Sequence, residues 1–365
     1  MEGVNFYNRQ QKYADGAQTT SRTSYNTFNF HDIAFQLPLA RRLGLGFSLT
    51  PYSSVGYRVS ADEQSDDVWG NIGRVQYLYA GEGDLTEVKL GIGWEVVKRV
   101  SIGVAAQYYW GDIERTYQTV VSNNIVNGGS VNTVTGTDSY GISRIKMQLG
   151  LQADLIQSER QVLTLGATYD MGGNLRPSVN QTVVNGDIYG TVVRGDTTRM
   201  ALKLPVQLGV GLYYQNAKIA AGVDYIYQNW ENNESPKSVP GAVNVAYKNT
   251  NTVKLGFEYT PNRMDIRNYL KRWSYRVGFR YGTYYQTFEG KTLSQYAVTA
   301  GFGMPVRFLG RSSIDFGVEF GQRGNDSPLR IDNRQIGLVR QRYVKFSLGL
   351  TLFGEDSWFV RYKYD

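Results

Sequence analysis

The strongest constraint on the fold is a two-residue alternation that runs through three consecutive segments between residues 274 and 321. Successive side chains of a strand point to opposite faces of a sheet, so this period indicates β-strands with one apolar face. The opposite face carries glycine, small and charged residues, which is typical of a barrel whose outer surface meets lipid. The apolar positions are Tyr275, Val277, Phe279, Tyr281, Tyr285, Tyr296, Val298, Ala300, Phe302, Met304, Val306, Ile314, Phe316, Val318 and Phe320.

The composition favours strands throughout the 365-residue chain, because 41 Gly, 28 Tyr and 15 Phe accompany only 9 Pro. The mean hydropathy is −0.38, and no run approaches the roughly 18 apolar residues of a membrane-spanning helix. Spanning strands need only about 9–11 residues, half of which can be polar. Cysteine is absent, which excludes disulfides and thiolate chemistry.

The connections between the predicted strands alternate in length, which predicts short periplasmic turns and long extracellular loops. With Arg74–Tyr79 assigned to a loop, the pattern predicts an all-β, transmembrane antiparallel barrel of about 14 strands. The short connections are 41–43, 98–100, 157–160, 215–218, 261–272 and 308–312; the longer ones are 14–23, 61–84, 118–137, 172–195, 231–245 and 325–335, with the tight Glu289–Lys291 as the exception.

The whole barrel is expected to be one domain, residues 1–353, followed by a short periplasmic tail, residues 354–365. A set of soluble β-sandwiches would need about three domains joined by linkers, and the sequence shows no linker. A strand-like segment follows Met1 directly, so no signal peptide is expected within this sequence.

The charge pattern argues against several functions. The net charge is +7, but the basic residues gather at predicted turns, so no nucleic-acid partner is expected. His31 is the sole histidine, so a hydrolytic triad or a transition-metal site is not expected. The acidic stretch Asp62–Asp67 is interpreted as a solvated loop in preference to a calcium site. We therefore predict no enzyme activity, no catalytic residue, no bound metal and no cofactor.

Several stretches resemble the FadL family of outer-membrane transporters for long-chain fatty acids and other hydrophobic compounds. The resemblance implies an integral protein of the Gram-negative outer membrane, in contact with lipid and lipopolysaccharide, that passes a hydrophobic small molecule through its lumen or a lateral opening in its wall. It rests on Leu49-Thr-Pro-Tyr-Ser-Ser-Val-Gly56, Lys98-Arg-Val-Ser-Ile-Gly103, Trp273–Tyr285, Gly317-Val-Glu-Phe-Gly-Gln-Arg-Gly324 and Phe346-Ser-Leu-Gly-Leu350 with its aromatic and basic tail.

Members of that family carry an N-terminal plug and a strand kink that opens the wall. The segment Pro51, Tyr52, Ser53 and Ser54 is the position that matches such a kink, and an ordinary bulge is the preferred interpretation of it. No plug segment is evident before the first strand. FadL-like barrels also include accessory subunits of the PorV type. The alternative function is therefore a non-transporting barrel subunit of a larger outer-membrane secretion or assembly complex, bound to partner proteins through its long loops.

Two further groups of residues are candidates for function. Ionisable residues on the predicted inner face could neutralise one another, as a salt-bridged lattice or as an ion relay, and the sequence favours a narrow or plugged lumen. Apolar residues of the outer loops could contact a ligand. The inner group is Lys254, Glu258, Arg276, Arg280, Asp315, Glu319 and Lys345, and the outer group is Trp69, Tyr77 and Tyr79.

Overall fold

The computed structural model describes residues 1–14, 17–63, 66–122, 131–185, 191–194, 198–199, 202–231, 245–306, 312–325, 328–331 and 334–352. The predicted tail, residues 354–365, lies outside this part of the chain. No helix among the described residues combines the length and the apolar character needed to span a membrane.

The first half of the chain forms long strands and one short helix. The elements are β1 (Glu2–Ala14), β2 (Ala17–Asn29), β3 (Ile33–Ala40), β4 (Leu43–Asp62), α1 (Asp66–Asn71), β5 (Arg74–Val97), β6 (Val100–Ser122), β7 (Val131–Gln157), β8 (Gln161–Asp170), β9 (Gly173–Asn174), β10 (Ser178–Asn185), β11 (Thr191–Arg194) and β12 (Thr198–Arg199).

The second half continues with strands and a single 3₁₀ turn, Tyr269–Arg272, in the connection 260–273. The strands are β13 (Lys203–Leu204), β14 (Val206–Asn216), β15 (Ile219–Asn229), β16 (Val245–Tyr247), β17 (Thr250–Tyr259), β18 (Ser274–Phe288), β19 (Lys291–Val306), β20 (Ser312–Arg323), β21 (Pro328–Ile331), β22 (Arg334–Gly337) and β23 (Val339–Thr351).

One antiparallel sheet contains nearly all of these strands, as the alternating pattern predicts. The first strand lies inside the series, because β1 pairs with β2 on one side and with β23 on the other, where Glu2 faces Ser347. Ladders join, in order, β3, β4, β5, β6, β7, β8, β14, β15, β17, β18, β19, β20, β23, β1 and β2.

The two faces of the sheet differ in chemistry. On one, which we name the apolar face, large apolar side chains remain exposed; examples are Ile92 at 51%, Val298 at 51% and Leu350 at 61%. The other, the polar face, carries the ionisable side chains, such as Lys89, which lies beside Glu87 with Nζ and Oε1 3.5 Å apart. A sheet in water would bury its apolar face, so this arrangement fits a surface that meets lipid.

Strands occupy more than half of five predicted long loops, 14–23, 61–84, 118–137, 172–195 and 325–335, so these loop predictions are wrong. Two of them show this most clearly. β4 and β5 extend to Asp62 and from Arg74, and β6 and β7 extend to Ser122 and from Val131. The segment assigned to a loop, Arg74–Tyr79, is therefore the start of β5. The reason is local: β-branched and aromatic residues continue on both strands of each hairpin, and cross-strand pairs stabilise the extended ribbons.

The second predicted strand is broken instead of bulged. The sequence pattern places a bulge near His31, whereas β2 ends at Asn29 and β3 begins at Ile33. The two halves pair with different neighbours, β2 with β1 and β3 with β4.

The connection 260–273 contains an acidic side chain that caps its own turn. The Asp265 carboxylate accepts backbone N–H bonds from Asn268 at 2.8 Å and Arg267 at 2.9 Å, and Lys271 Nζ lies 3.8 Å from Oδ2. The hydrogen bond from Asn268, the bond from Arg267 and the Lys271 charge together hold the pKa of Asp265 below its usual value. Such a group stabilises the fold above its unfolded pKa of about 3.9, and the effect is lost as pH falls through the lower folded pKa.

Asp265→Asn should therefore loosen this turn only where the wild-type carboxylate is charged. We expect faster amide hydrogen exchange in residues 265–271 of the variant near pH 6, measured by mass spectrometry as a rate ratio to wild type. The ratio should approach one as pH falls below about 3. A ratio that stays constant with pH would show that the carboxylate charge does not stabilise the turn.

Candidate functional site

The segment Pro51–Ser54 lies where β4 loses one of its neighbours. The ladder between β3 and β4 ends at the pair Ile33–Leu49, two residues before Pro51. On the other side of β4 the register with β5 shifts between Pro51 and Ser53, as a β-bulge does. All four residues of the segment are exposed. The proline and the bulge thus coincide with a change in the pairing of the wall.

From Pro51 towards Asp62, the edge of β4 that faces β2 is not paired with it. We call the space between these two facing edges the seam. Among the described residues no ladder joins β2 to β4, and their Cα atoms are farther than 8 Å apart at almost every position. Hydrogen-bonded strands lie only about 4.8 Å apart. The seam runs beside residues 17–29 of β2 and 50–62 of β4, which are mostly exposed.

An apolar cluster on the polar face lies beside the seam. The Tyr52 ring contacts the Tyr109 ring edge to face, with centroids 4.9 Å apart. Tyr109 is itself buried with Leu85, Ile142 and Leu175, whose exposed fractions are 3%, 4% and 1%. Tyr52 therefore connects the predicted kink to a packed apolar cluster.

Leu175 reaches that cluster because its segment leaves the wall. β8 ends at Asp170 beside Gln148 of β7, and β10 rejoins β7 only at the pair Ser178–Gly141. The Met171 N–H still donates to the Met147 carbonyl at 3.0 Å, and residues 172–177 then bend onto the polar face. There Gly173 and Asn174 pair with Leu204 and Lys203 as the small β9–β13 sheet. Arg144 Nε donates to the Leu175 carbonyl at 3.1 Å and helps to hold the segment there.

A belt of hydrogen-bonded side chains crosses the polar face next to the cluster. The Asp170 carboxylate accepts bonds from Gln107 Nε2 at 3.2 Å and Gln207 Nε2 at 3.0 Å. Gln228 Nε2 donates to Gln207 Oε1 at 2.7 Å, and Thr250 Oγ1 donates to Gln228 Oε1 at 3.1 Å. The belt links β6, β8, β14, β15 and β17, and it would fix these strands relative to one another.

An aromatic group stands at the same level on the neighbouring strands. Trp230 stacks on Tyr285 with ring centroids 4.2 Å apart, and Tyr247 lies 6.2 Å from Trp230. The Trp230 Nε1–H donates to Gln228 Oε1 at 3.0 Å, which joins the aromatic group to the polar belt. Aromatic rings joined to a hydrogen-bonded frame give a surface that an apolar molecule can contact.

The predicted ionisable residues form two groups on the polar face. In the first, Arg276 bridges Glu258, with Nε and Oε2 2.7 Å apart, and Asp315. In the second, Arg280 Nη2 lies 2.8 Å from Glu319 Oε1, and Lys345 Nζ lies 4.0 Å from Glu319 Oε2. The network therefore consists of balanced ion pairs, which suits the salt-bridged lattice.

The second group extends beyond the predicted set. Lys345 Nζ lies 3.2 Å from Glu2 Oε2, and His31 Nε2 lies 3.6 Å from the same atom. Lys254 stands between Asp224 and Arg280 in the strand registers. His31, between β2 and β3, and Glu2 at the start of β1 thus lie beside Lys345 of the last strand.

The ion pairs do not fill the space in front of the polar face. A cavity of about 680 Å³ is lined by Asp224, Lys254, Glu258, Arg276, Glu319 and Lys345, among others. The arginines leave this space because they lie along the sheet and pair with acids on neighbouring strands. The narrow or plugged lumen that the sequence favours stays a prediction. At the level of Tyr109 and Leu175 the polar face is packed.

The predicted outer-loop contacts are not in loops. Tyr77 and Tyr79 lie on β5, and the Tyr77 hydroxyl donates to Glu63 Oε2 at 3.4 Å. Trp69 lies in α1, and its side chain is outside the described part. The polar belt was missed from the sequence, because glutamines such as Gln107 and Gln207 carry no charge that would distinguish them from other polar residues of the inner face.

The comparisons with known proteins agree with this architecture. A family model described as BamG matches residues 6–365, and no curated protein matches the chain. A FadL homologue from Pseudomonas aeruginosa aligns at a TM-score of 0.60 and 13% identity, over 96% of this chain and 89% of its own. The CymD monoaromatic hydrocarbon channel aligns at 0.51 and 12%, over 97% and 88%. At these identities the likeness shows a common fold, and the predicted FadL-like barrel fold is confirmed.

Proposed function

The chain belongs to the BamG family, and we propose that it is an integral barrel of the Gram-negative outer membrane through whose wall hydrophobic small molecules pass. The exposed apolar face meets lipid, and the polar face lines a lumen. With β2 and β3 counted as two halves of one wall strand, 14 strands close the barrel: β1, β2 with β3, β4, β5, β6, β7, β8, β14, β15, β17, β18, β19, β20 and β23.

The seam is the observation that carries this proposal. Backbone N–H and C=O groups in a bilayer must be hydrogen-bonded, and each unpaired group costs several kcal/mol. This requirement applies to the lower part of the seam, beside Phe28, because Arg22 already lies above the apolar band. Facing edges that are not paired with each other are expected there only where the wall must open. The seam begins beside Pro51, so the proline and the bulge of β4 explain why the ladder stops there.

The lumen offers a second reason for a sideways route. Below the apolar cluster, the cavity is lined by paired ions such as Arg276 and Glu258, which an apolar molecule would have to desolvate or cross. Beside the seam, the exposed Tyr52 ring offers aromatic surface, and the buried Tyr109 and Leu175 close the space behind it. A hydrophobic molecule that enters from the α1 end would find its apolar contacts at the wall.

The second candidate is a non-transporting subunit of an outer-membrane assembly or secretion complex. The hairpins β4–β5 and β6–β7 would supply contact surface, since Val59 and Val131 are 53% and 64% exposed. In this function the seam would remain part of the wall but would carry no ligand.

The two candidates differ in what accompanies the barrel. The test is to purify the tagged chain from native membranes in mild detergent and, in parallel, to measure the uptake of a radiolabelled long-chain fatty acid and of toluene by cells with and without it. Transport predicts a barrel without stoichiometric partners and a clear loss of uptake in its absence. A stoichiometric set of assembly proteins with unchanged uptake would replace the transport proposal by the second candidate.

A further inference from the structure

Four arginines lie together on the apolar face, where β1, β2 and β23 meet. Arg9 stands directly opposite Arg22 on β2 and Arg340 on β23, and Arg342 follows two residues along β23, opposite Tyr7. Residues directly opposite one another on adjacent strands lie on the same face, so all four arginine side chains project from the same face of the sheet. Together with Tyr7 and Ser24 they line a cavity of about 410 Å³. We call this group the arginine cluster.

The cluster concentrates one sign of charge. On this face of β1, β2, β20 and β23, the described residues include no Asp or Glu. Like charges directly opposite one another in a sheet destabilise it. Arg342 Nε donates to Gln322 Oε1 at 3.1 Å, a neutral partner that leaves the positive charge in place. Arg22 and Arg342 are the exposed members, so the cluster has the charge and the access to receive an anion.

The position of the arginine cluster relative to the apolar band indicates which kind of anion it would bind. Along the same face of β23, the four positions below the cluster are the apolar Val344, Phe346, Leu348 and Leu350. On β20 the apolar positions likewise end at Phe320, and Gln322 follows. The cluster therefore begins where the apolar band ends, on the side of the β1–β2 hairpin, and Tyr7 stands at the boundary as interfacial aromatics do.

We propose that the arginine cluster binds the phosphate groups of a phosphorylated glycolipid in the outer leaflet, of the lipid A type. The inference rests on the outer-membrane location in the proposed function. Guanidinium groups bind phosphate in a bidentate manner. A hydrogen bond that involves an ionised group is roughly twice as strong as one between neutral groups. The acyl chains of the same lipid would lie against Phe346 and the apolar positions below it. The site thus recognises both parts of the lipid.

The test is a titration of delipidated protein in detergent with bis-phosphorylated lipid A, with dephosphorylated lipid A and with inorganic phosphate, read by native mass spectrometry. The variant is Arg22→Gln with Arg342→Gln, which changes the two exposed members only. We expect its Kd for lipid A to rise at least about tenfold, because charge-assisted bonds are lost. The control variant, Arg267→Gln with Arg272→Gln, removes the same charge from the connection 260–273 at the other end of the strands. It should leave the Kd for lipid A unchanged.

Each other outcome overturns the proposal. An unchanged Kd in the double variant would show that the cluster does not hold the lipid. Equal affinity of wild type for inorganic phosphate and for lipid A would identify a site for a free anion. A variant that loses only a copurifying protein would make the cluster a protein contact. If the double variant melts earlier than wild type without lipid, the single variants Arg22→Gln and Arg342→Gln replace it, and an unchanged Kd in both would likewise overturn the proposal.

The titration is independent of transport. Unchanged uptake of fatty acid and toluene by cells without the chain would defeat the proposed function but would not alter binding in detergent. Failure of the protein to insert into bilayers would remove the premise of both. Failure of the titration alone would leave the barrel and its seam as proposed.

Discussion

Phe316→Arg is expected to lower the free energy of unfolding by about 2–4 kcal/mol in a lipid bilayer. Phe316 lies on the apolar face of β20, 41% exposed, where it pairs in register with Phe302 and Leu348. An arginine there would place a charge among lipid chains near the middle of the apolar band, with no acid on that face of the neighbouring strands. The measurement is urea-induced unfolding in phospholipid vesicles.

The matched control places the same side chain on the opposite face. Ser347→Arg lies one strand away, on the polar face in register with Gly317, where it would point into the cavity lined by Glu319 and Asp315. We expect a change of less than about 1 kcal/mol, since an exposed ion pair contributes little. If Ser347→Arg were the costly substitution and Phe316→Arg the neutral one, the assignment of inside and outside would be reversed.

A bulky group attached in the seam should stop the passage of a hydrophobic molecule through the wall. The chain has no cysteine, so a single Ser54→Cys variant can be labelled at one position with a pyrene maleimide. Ser54 lies on the edge of β4 that faces β2 without a ladder. A bulky aromatic group there would occupy the space through which a hydrophobic molecule leaves the lumen. We expect labelled protein to take up fatty acid at least about tenfold more slowly than unlabelled protein, because each 1.4 kcal/mol added to the barrier slows passage tenfold.

Ser158→Cys supplies the comparison, because it lies in the tight turn between β7 and β8, far along the wall from the seam. The same label at this position should leave uptake unchanged. Equal uptake by the labelled and unlabelled Ser54→Cys proteins would show that the ligand does not cross the wall at the seam. The inward segment around Leu175, where β8 leaves the side of β7, would then be the alternative position of an opening.

The parts of the fold that follow from local pattern could be predicted. Alternation placed Val277, Phe316 and their neighbours on strands with an apolar face, and Glu289–Gly290 forms the predicted tight turn, with φ of 48° and 74°. The alternation did not identify Arg74–Tyr79 as the start of β5, because an extended hairpin and a loop have similar composition. The distinction depends on cross-strand partners, and those are set by a register that one strand alone does not carry.

Some parts of the candidate site could likewise be predicted from the sequence, and others could not. Pro51 signals an interruption in its own strand, so its position could be predicted, whereas the seam depends on the neighbour, β2, turning away at residues 30–32. The ion pairs of Arg276 follow from inward-facing charges on adjacent strands. The burial of Leu175 could not be predicted, because it requires a segment to leave the wall and pack against Tyr109 and Ile142, which are distant in sequence.

The position of β1 between β2 and β23 has a consequence for how the chain matures. The ladder that joins Glu2 to Ser347 brings together segments separated by nearly the whole chain. Contacts of such large sequence separation form late, because their loop-closure entropy must first be overcome. Until β23 has been synthesised and delivered, β1 and β20 each present an open strand edge, which is prone to aggregation. Biogenesis therefore depends on protecting two edges until the last strand arrives, and chains that lack residues after 338 should be degraded.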